Sequence, residues 1–300
     1  MLLTAAVLKM IILILCVLLN VAFFTLLERK ILGYIQIRKG PNKLGFKGLL
    51  QPFSDVVKLF DKEMNFMNIS NTWAFMLSPI AALSITLILW LGVPMTPGVL
   101  EIKMSIVFLL CCMSLSVYPV LFAGWASNSK YPLLGGLRAV AQTISYEVSM
   151  SITLLSFVFL SGTLSLGGFL TFKSSLLVAV SPVLAAIWFM TCLAETNRTP
   201  FDLPEGESEL VSGFNTEYSS GGFALFFIAE YGSMLLLSFL TTLFLFSEGN
   251  SMGPMFLLLF LFFVSLFIWA RGTLPRVRYD TLMQLTWKKF LPASLAYLVF

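Results

Sequence analysis

The sequence predicts an all-α fold, a polytopic transmembrane helical bundle of about eight spans, and two observations carry that expectation. First, 58% of residues are hydrophobic and only 11% charged, with a mean hydropathy of +0.91, a balance foreign to water-soluble domains. Second, the apolar residues fall in runs close to the ~20 needed to cross hydrocarbon as a helix. A segment in lipid must satisfy its own backbone polar groups, and a helix does so internally. Residues 1–300 therefore read as one integral membrane domain.

Leu2 to Leu27 forms the first run, with Lys9 near its start. It lacks the short core and small-residue cleavage site of a secretory signal and reads as a retained span. Trp73 to Val93 and Met104 to Ser129 carry no charge, and Ala139 to Thr171 carries one, Glu147. Ser174 to Ala194 is the fifth run, Tyr218 to Ser247 the sixth with Glu230 near its middle, and Gly249 to Ala270 the seventh. The last, Phe290 to Phe300, has only 11 residues. It spans if its helix begins back near Thr281 and Lys288 and Lys289 snorkel.

An even number of spans places both termini on one side, and charge then orients the bundle. Residues 28–72, 127–138, 195–218 and 271–289 hold 16 of the 19 basic residues, leaving Lys9, Lys103 and Lys173 opposite. That bias assigns the basic loops to the cytoplasm or matrix and both termini to the outer side. Within the first inner loop, Leu49, Leu50, Phe53, Val56, Val57 and Phe60 follow helical spacing against Gln51, Ser54, Asp55, Lys58 and Asp61. This pattern predicts an amphipathic helix lying in the interface, with Pro52 near its start where proline is tolerated. A plain lipid anchor for the loop gives the same periodicity.

The sequence contains no histidine and four cysteines, Cys16, Cys111, Cys112 and Cys192, none in a C-x-x-C spacing. That argues against a zinc, haem or iron–sulfur site on this chain, and no metal-binding residues are assigned. Ionisable chemistry concentrates between residues 195 and 218, where Glu195, Asp202, Glu205, Glu207, Glu209 and Glu217 make six of the 15 acidic residues around a single Arg198. Pro200 and Pro204 keep Glu205, Glu207 and Glu209 off one helical face. Three readings stand for that loop. Crowded carboxylates raise one another's pKa and titrate together, hard oxygen ligands suit a divalent cation, and a solvated acidic loop needs neither. Deeper in the apolar runs, Glu147 and Glu230 must each be protonated, paired or wetted, since a bare charge there costs ~2.5–3.5 kcal/mol on insertion scales. A structural hydrogen bond, with Arg138 as a partner for Glu147, competes with a proton path. Glu28-Arg29-Lys30 ends the first span, and its two cations, like the later Arg271, Arg276 and Arg278, read as a stop-transfer flank at the inner face.

Four segments carry a resemblance. LLERKILGYIQIRKGPNKLGFKGLLQPFSDVVKLF at 26–60, TISYEVSMS at 143–151, AETNRTPFDLPEGESELVSGFNTEYSS at 194–220 and RVRYDTLMQLTWKKFLP at 276–292 resemble subunit 1 of respiratory NADH:ubiquinone oxidoreductase, complex I, in family order. The resemblance implies a multi-pass mitochondrial inner-membrane subunit, with its basic loops in the matrix and both termini toward the intermembrane space. It implies ubiquinone as substrate, with flavin (FMN) and iron–sulfur clusters in partner subunits only. Partners would be the peripheral-arm subunits at a quinone chamber, adjacent membrane-arm subunits and membrane lipid, with no nucleic acid. On the family pattern Glu28, Arg29, Gln36, Arg38 and Asp55 would lie at the quinone chamber. Glu195, Arg198, Asp202, Glu205, Glu207 and Glu209 would form the coupling loop below it, with Glu147, Glu217 and Glu230 continuing a carboxylate path. A proton-coupled secondary transporter, which usually shows related halves, and the equivalent subunit of a related quinone reductase or membrane hydrogenase are the alternatives.

Overall fold

In the computed structural model, residues 2–64, 69–94, 102–171, 181–204, 206, 212–246 and 253–299 are described, and every regular element among them is helical. In order these are α1 (Leu2–Ile35), α2 (Gln51–Phe60), α3 (Thr72–Leu91), α4 (Ser105–Ala126), α5 (Lys130–Ser161), α6 (Leu166–Thr171), α7 (Pro182–Glu195), α8 (Ser220–Phe246), α9 (Pro254–Thr273), α10 (Tyr279–Leu285) and α11 (Leu291–Val299). Among the described residues, six helices are long and apolar enough to cross a membrane: α1, α3, α4, α5, α8 and α9. Helix α7 is apolar but only 14 residues long. A π turn at Thr286–Phe290 joins α10 to α11, so the last helix starts at Tyr279, ahead of Thr281, and Lys288 and Lys289 lie exposed on it. The length that the 11-residue apolar tail lacks is thereby supplied.

Helix α8 is the central post. About two thirds (67%) of its most apolar stretch is buried, against 22% for α1, because α1, α2, α3, α7 and α9 all pack around it. Beside it Trp188 meets Phe244 edge-on at 5.4 Å and Phe157 at 6.1 Å, rings that lock α7, α8 and α5 together. Helices α4 and α5 approach at glycine: a Cβ on Gly124 would stand 2.7 Å from the Pro132 carbonyl oxygen. Lipid tails give no hydrophobic drive for helix pairing, so such close backbone packing supplies the contact.

Two helices outrun their apolar stretches. Helix α1 continues past Leu27 to Ile35, and α5 begins at Lys130 rather than Ala139, so 130–138 is helix where a loop was expected. Charge marks where lipid ends, while a helix stops only where its backbone turns. For α1 that turn is Ile37 at φ 56; for α5 it is Gly162 at φ 69. Helix α2 matches the expected interfacial helix, with Pro52 in its first turn. Its Phe53, Val56, Val57 and Phe60 are exposed, and Asp55 is held by Arg29 of α1 at 2.5 Å. Phe53 also meets Phe23 of α1 edge-on at 6.1 Å, so the helix lies against the bundle with much of its apolar face still open, as one lying on lipid would have it.

Candidate functional site

Glu28 enters the core because α1 stays helical there. Val17, Val21 and Phe24 line the buried seam of α1, and Glu28 is one turn further along it, only 4% exposed. Tyr231 Oη and Arg271 Nη1 both donate to its carboxylate. Arg29 points about 100° away around the helix, to solvent and Asp55. Adjacent residues in sequence therefore serve different faces.

Arg198 lies between Glu28 and a second carboxylate. Its Nη1 is 4.0 Å from Glu28 Oε1, and its Nη2 is 3.9 Å from Glu230 Oε2 on α8. The guanidinium also sits over the Tyr231 ring, 4.6 Å from its centroid, a cation–π contact strengthened by burial. Two acids and two arginines from α1, α8, α9 and the 196–204 loop thus form one balanced, largely buried cluster. Desolvating such a set is costly, and each member depends on the others for compensation.

The loop carrying Arg198 is held at both arms by one side chain. Gln142 of α5, fully buried, donates through Nε2 to the Ala194 and Phe201 carbonyls, both at 2.9 Å. Val277 N donates to the Pro200 carbonyl at 2.9 Å, and Arg276 pairs with Asp202 at 3.0 Å. The Thr199–Pro200 peptide is cis. Behind the loop, Gly135 abuts the Gly213–Asn215 3₁₀ turn, where a Cβ would meet Phe214 N at 2.8 Å.

Beyond Glu230 the cluster opens into two small cavities, each with several polar groups in its walls. One, of 80 Å³, is lined by Glu230, Glu195, Asn197, Ser116, Ser233 and Thr86 among apolar neighbours; the next, of 40 Å³, by Glu195, Asn197, Ser116 and Thr143. Each has the room and polar partners to hold water. Glu147 is one turn along α5 from Thr143, which lines the second cavity together with Glu195. Arg271, Glu28, Arg198 and Glu230 are thus joined by ion-pair contacts, and Glu230 and Glu195 by a shared cavity. A separate apolar pocket of 220 Å³ opens between α2, α3 and the start of α8. Tyr218, ahead of α8, stacks on Phe75 at 4.1 Å within it and lies 2.8 Å from Ser78 Oγ. Burial pushes its phenol up to about 12, the Ser78 hydrogen bond opposing, so it stays a donor at neutral pH.

The family model described as NADH dehydrogenase matches residues 8–300. The chain belongs to the NADH dehydrogenase family. Relatives named NADH-ubiquinone oxidoreductase chain 1 agree: that of Anopheles gambiae is 56% identical over 289 residues, covering 96% of this chain and 92% of its own length. The Aedes aegypti protein is 57% identical over 291 residues, with the same coverage of 96% and 92%. That of Phascolarctos cinereus is 51% identical over 290 residues, covering 94% of this chain and 91% of its own length.

Within this NADH dehydrogenase family chain, the expected residues divide. Arg29 and Asp55 meet, and Gln36 and Arg38 lie exposed just beyond α1. Glu28 leaves that group and joins Arg198 and Glu230 in the interior. Glu195 and Glu230 share a cavity, whereas half-buried Glu217 lines neither of the two small ones. Asp202 faces Arg276 rather than Arg198. Glu205, Glu207 and Glu209, and with them the divalent-cation reading, lie outside the described residues. Sequence reasoning missed Gln142, Tyr231 and the pairing of Arg271. A lone Gln in an apolar run, and an Arg and a Glu each ending a span at the same face, were the available signals.

Proposed function

We propose that this NADH dehydrogenase chain is the membrane subunit of proton-pumping NADH:ubiquinone oxidoreductase that borders the quinone chamber and couples quinone reduction to proton movement. The supporting observation is Arg198, set between Glu28 and Glu230 at 4.0 and 3.9 Å with a cavity continuing to Glu195. Quinone reduction to quinol consumes two electrons and two protons. Electrons arrive from flavin and iron–sulfur groups on peripheral-arm partners, and this chain supplies surface, charge and proton-holding groups. Gln36, Arg38, Arg29 and Asp55 border the chamber. Protonation changes there alter how the Arg198 charge divides between Glu28 and Glu230, and the change passes as proton occupancy through the water-sized cavities to Glu195 and Glu147.

The setting is the mitochondrial inner membrane, with α2 and the Arg198 loop on the matrix side and both termini toward the intermembrane space. Ubiquinone is the substrate, and adjacent membrane-arm subunits receive the carboxylate path. The test is Glu230→Gln in the assembled complex. NADH oxidation by an artificial acceptor, which needs the peripheral groups alone, stays at the wild-type rate, while quinone reduction and proton pumping fall together. Full pumping by the variant would remove Glu230 from the path.

A further inference from the structure

A second apolar hollow, of 420 Å³, lies away from the charge cluster, between α1, α8, α9 and the end of α3. Its walls are apolar, Trp90, Phe239 and Phe256 among them, but α1 adds two polar side chains, Lys9 at one end and Asn20 deeper in. Both are exposed, and among the described residues neither meets an ion-pair or hydrogen-bond partner. Lys9 and Asn20 are ~16 Å apart, about three helical turns, and so lie on one face of α1; Asn20 is a further ~12 Å from Glu28 at the inner end. Asn20 thus stands near the middle of a hydrocarbon layer ~30 Å thick.

We infer that this groove seats a transmembrane helix of another chain, with an acidic residue opposite Lys9 and a hydrogen-bonding side chain about three turns further in, opposite Asn20. The positions favour a helix over a lipid. An anionic headgroup satisfies the ammonium at the membrane edge, but the acyl chain below it offers nothing to an amide, and an unpaired amide in hydrocarbon is costly. A helix supplies both groups at the spacing required, and cross-helix hydrogen bonds from Asn are an established adhesive in bilayers. The inference rests on the proposed multi-subunit setting for its partner and on the groove for that partner's chemistry.

A zero-length carbodiimide on native membranes, followed by peptide sequencing, tests it. The expected product joins Lys9 to an Asp or Glu of a second chain, in an apolar segment with a Ser, Thr, Asn, Gln or His about eleven residues away. A link to Glu248 of the same chain, no link at all, or a partner segment apolar throughout would overturn it, as would labelling of the Cys16–Asn20 region by a photoreactive anionic phospholipid. In parallel, Asn20→Leu, apolar at an exposed position, should weaken retention of that partner in detergent by ~3-fold to ~20-fold, the range of measured interhelical hydrogen bonds. Unchanged retention counts against the inference. The chains purified with this one test the complex assignment separately, whatever Lys9 does.

Discussion

Replacing Arg198 with methionine removes the charge shared by Glu28 and Glu230 and keeps much of the side-chain volume. At about 4 Å and an effective dielectric near 20, each pair carries a gross attraction of ~4 kcal/mol, and the separations are 4.0 and 3.9 Å. Loss of one partner from a buried pair costs ~3–5 kcal/mol net. Glu28 retains Arg271 and Tyr231, so most of that cost falls on Glu230. The chain in purified complex should lose thermal stability, and quinone reduction should fall at least tenfold, equivalent to ~1.4 kcal/mol on the barrier, while artificial-acceptor activity holds. Pairing Arg198→Met with Glu230→Gln removes the acid that faced the lost charge and should recover ~1–3 kcal/mol of stability. If the single variant melts as wild type, or the double variant is no better than the single, the shared-charge reasoning is wrong.

Arg198→Lys keeps the charge but loses the flat guanidinium over Tyr231, and should fall between wild type and Arg198→Met in the same assays. Gln142→Leu removes the amide's bond to the Phe201 carbonyl, while the Ala194 carbonyl keeps the Asn197 N–H at 3.2 Å, and should cost ~1–3 kcal/mol in thermal unfolding; an unshifted midpoint would contradict the clasp. Asp55→Asn breaks a half-exposed pair worth at most ~1 kcal/mol. Quinone kinetics should therefore change in that variant without a matching loss of stability, and unchanged kinetics would take Asp55 out of the chamber. Gly135→Ala brings a methyl against the Phe214 backbone and should cost ~1–3 kcal/mol by overpacking, read as a lower melting midpoint.

Hydropathy exposed most of the fold because lipid imposes one rule on every spanning residue. Runs such as Trp73 to Val93 and Met104 to Ser129 therefore lie within a residue or three of α3 and α4. Helix ends were less legible where charges intervened. Lys130 and Arg138 looked like loop residues yet lie on α5, since a helix leaving lipid keeps its backbone bonds. The site was legible as a set of acids but not as a set of pairs. Glu28 looked like a companion of Arg29, although the seam of Val17, Val21 and Phe24 already directed it inward. Arg271 counted only as an inner-face cation, a reading that ignores what a side chain touches. Tertiary proximity, such as that of Gln142 to Phe201, has no local signature at all.

The pair of hydrogen bonds donated by Gln142 has a dynamic consequence. By fastening the Ala194 and Phe201 carbonyls to the same amide group, it turns the intervening chain into a closed arc with a fixed footprint on α5. Such an arc cannot swing open or melt without releasing both anchors. Arg198, at its crest, then changes neighbours by rotating its own bonds. Reorienting a buried guanidinium is slower than the picosecond-to-nanosecond flips of exposed side chains, but it needs no loop to detach and redock. The arc would act as a fixed bearing for an electrostatic pointer whose own packing sets its pace.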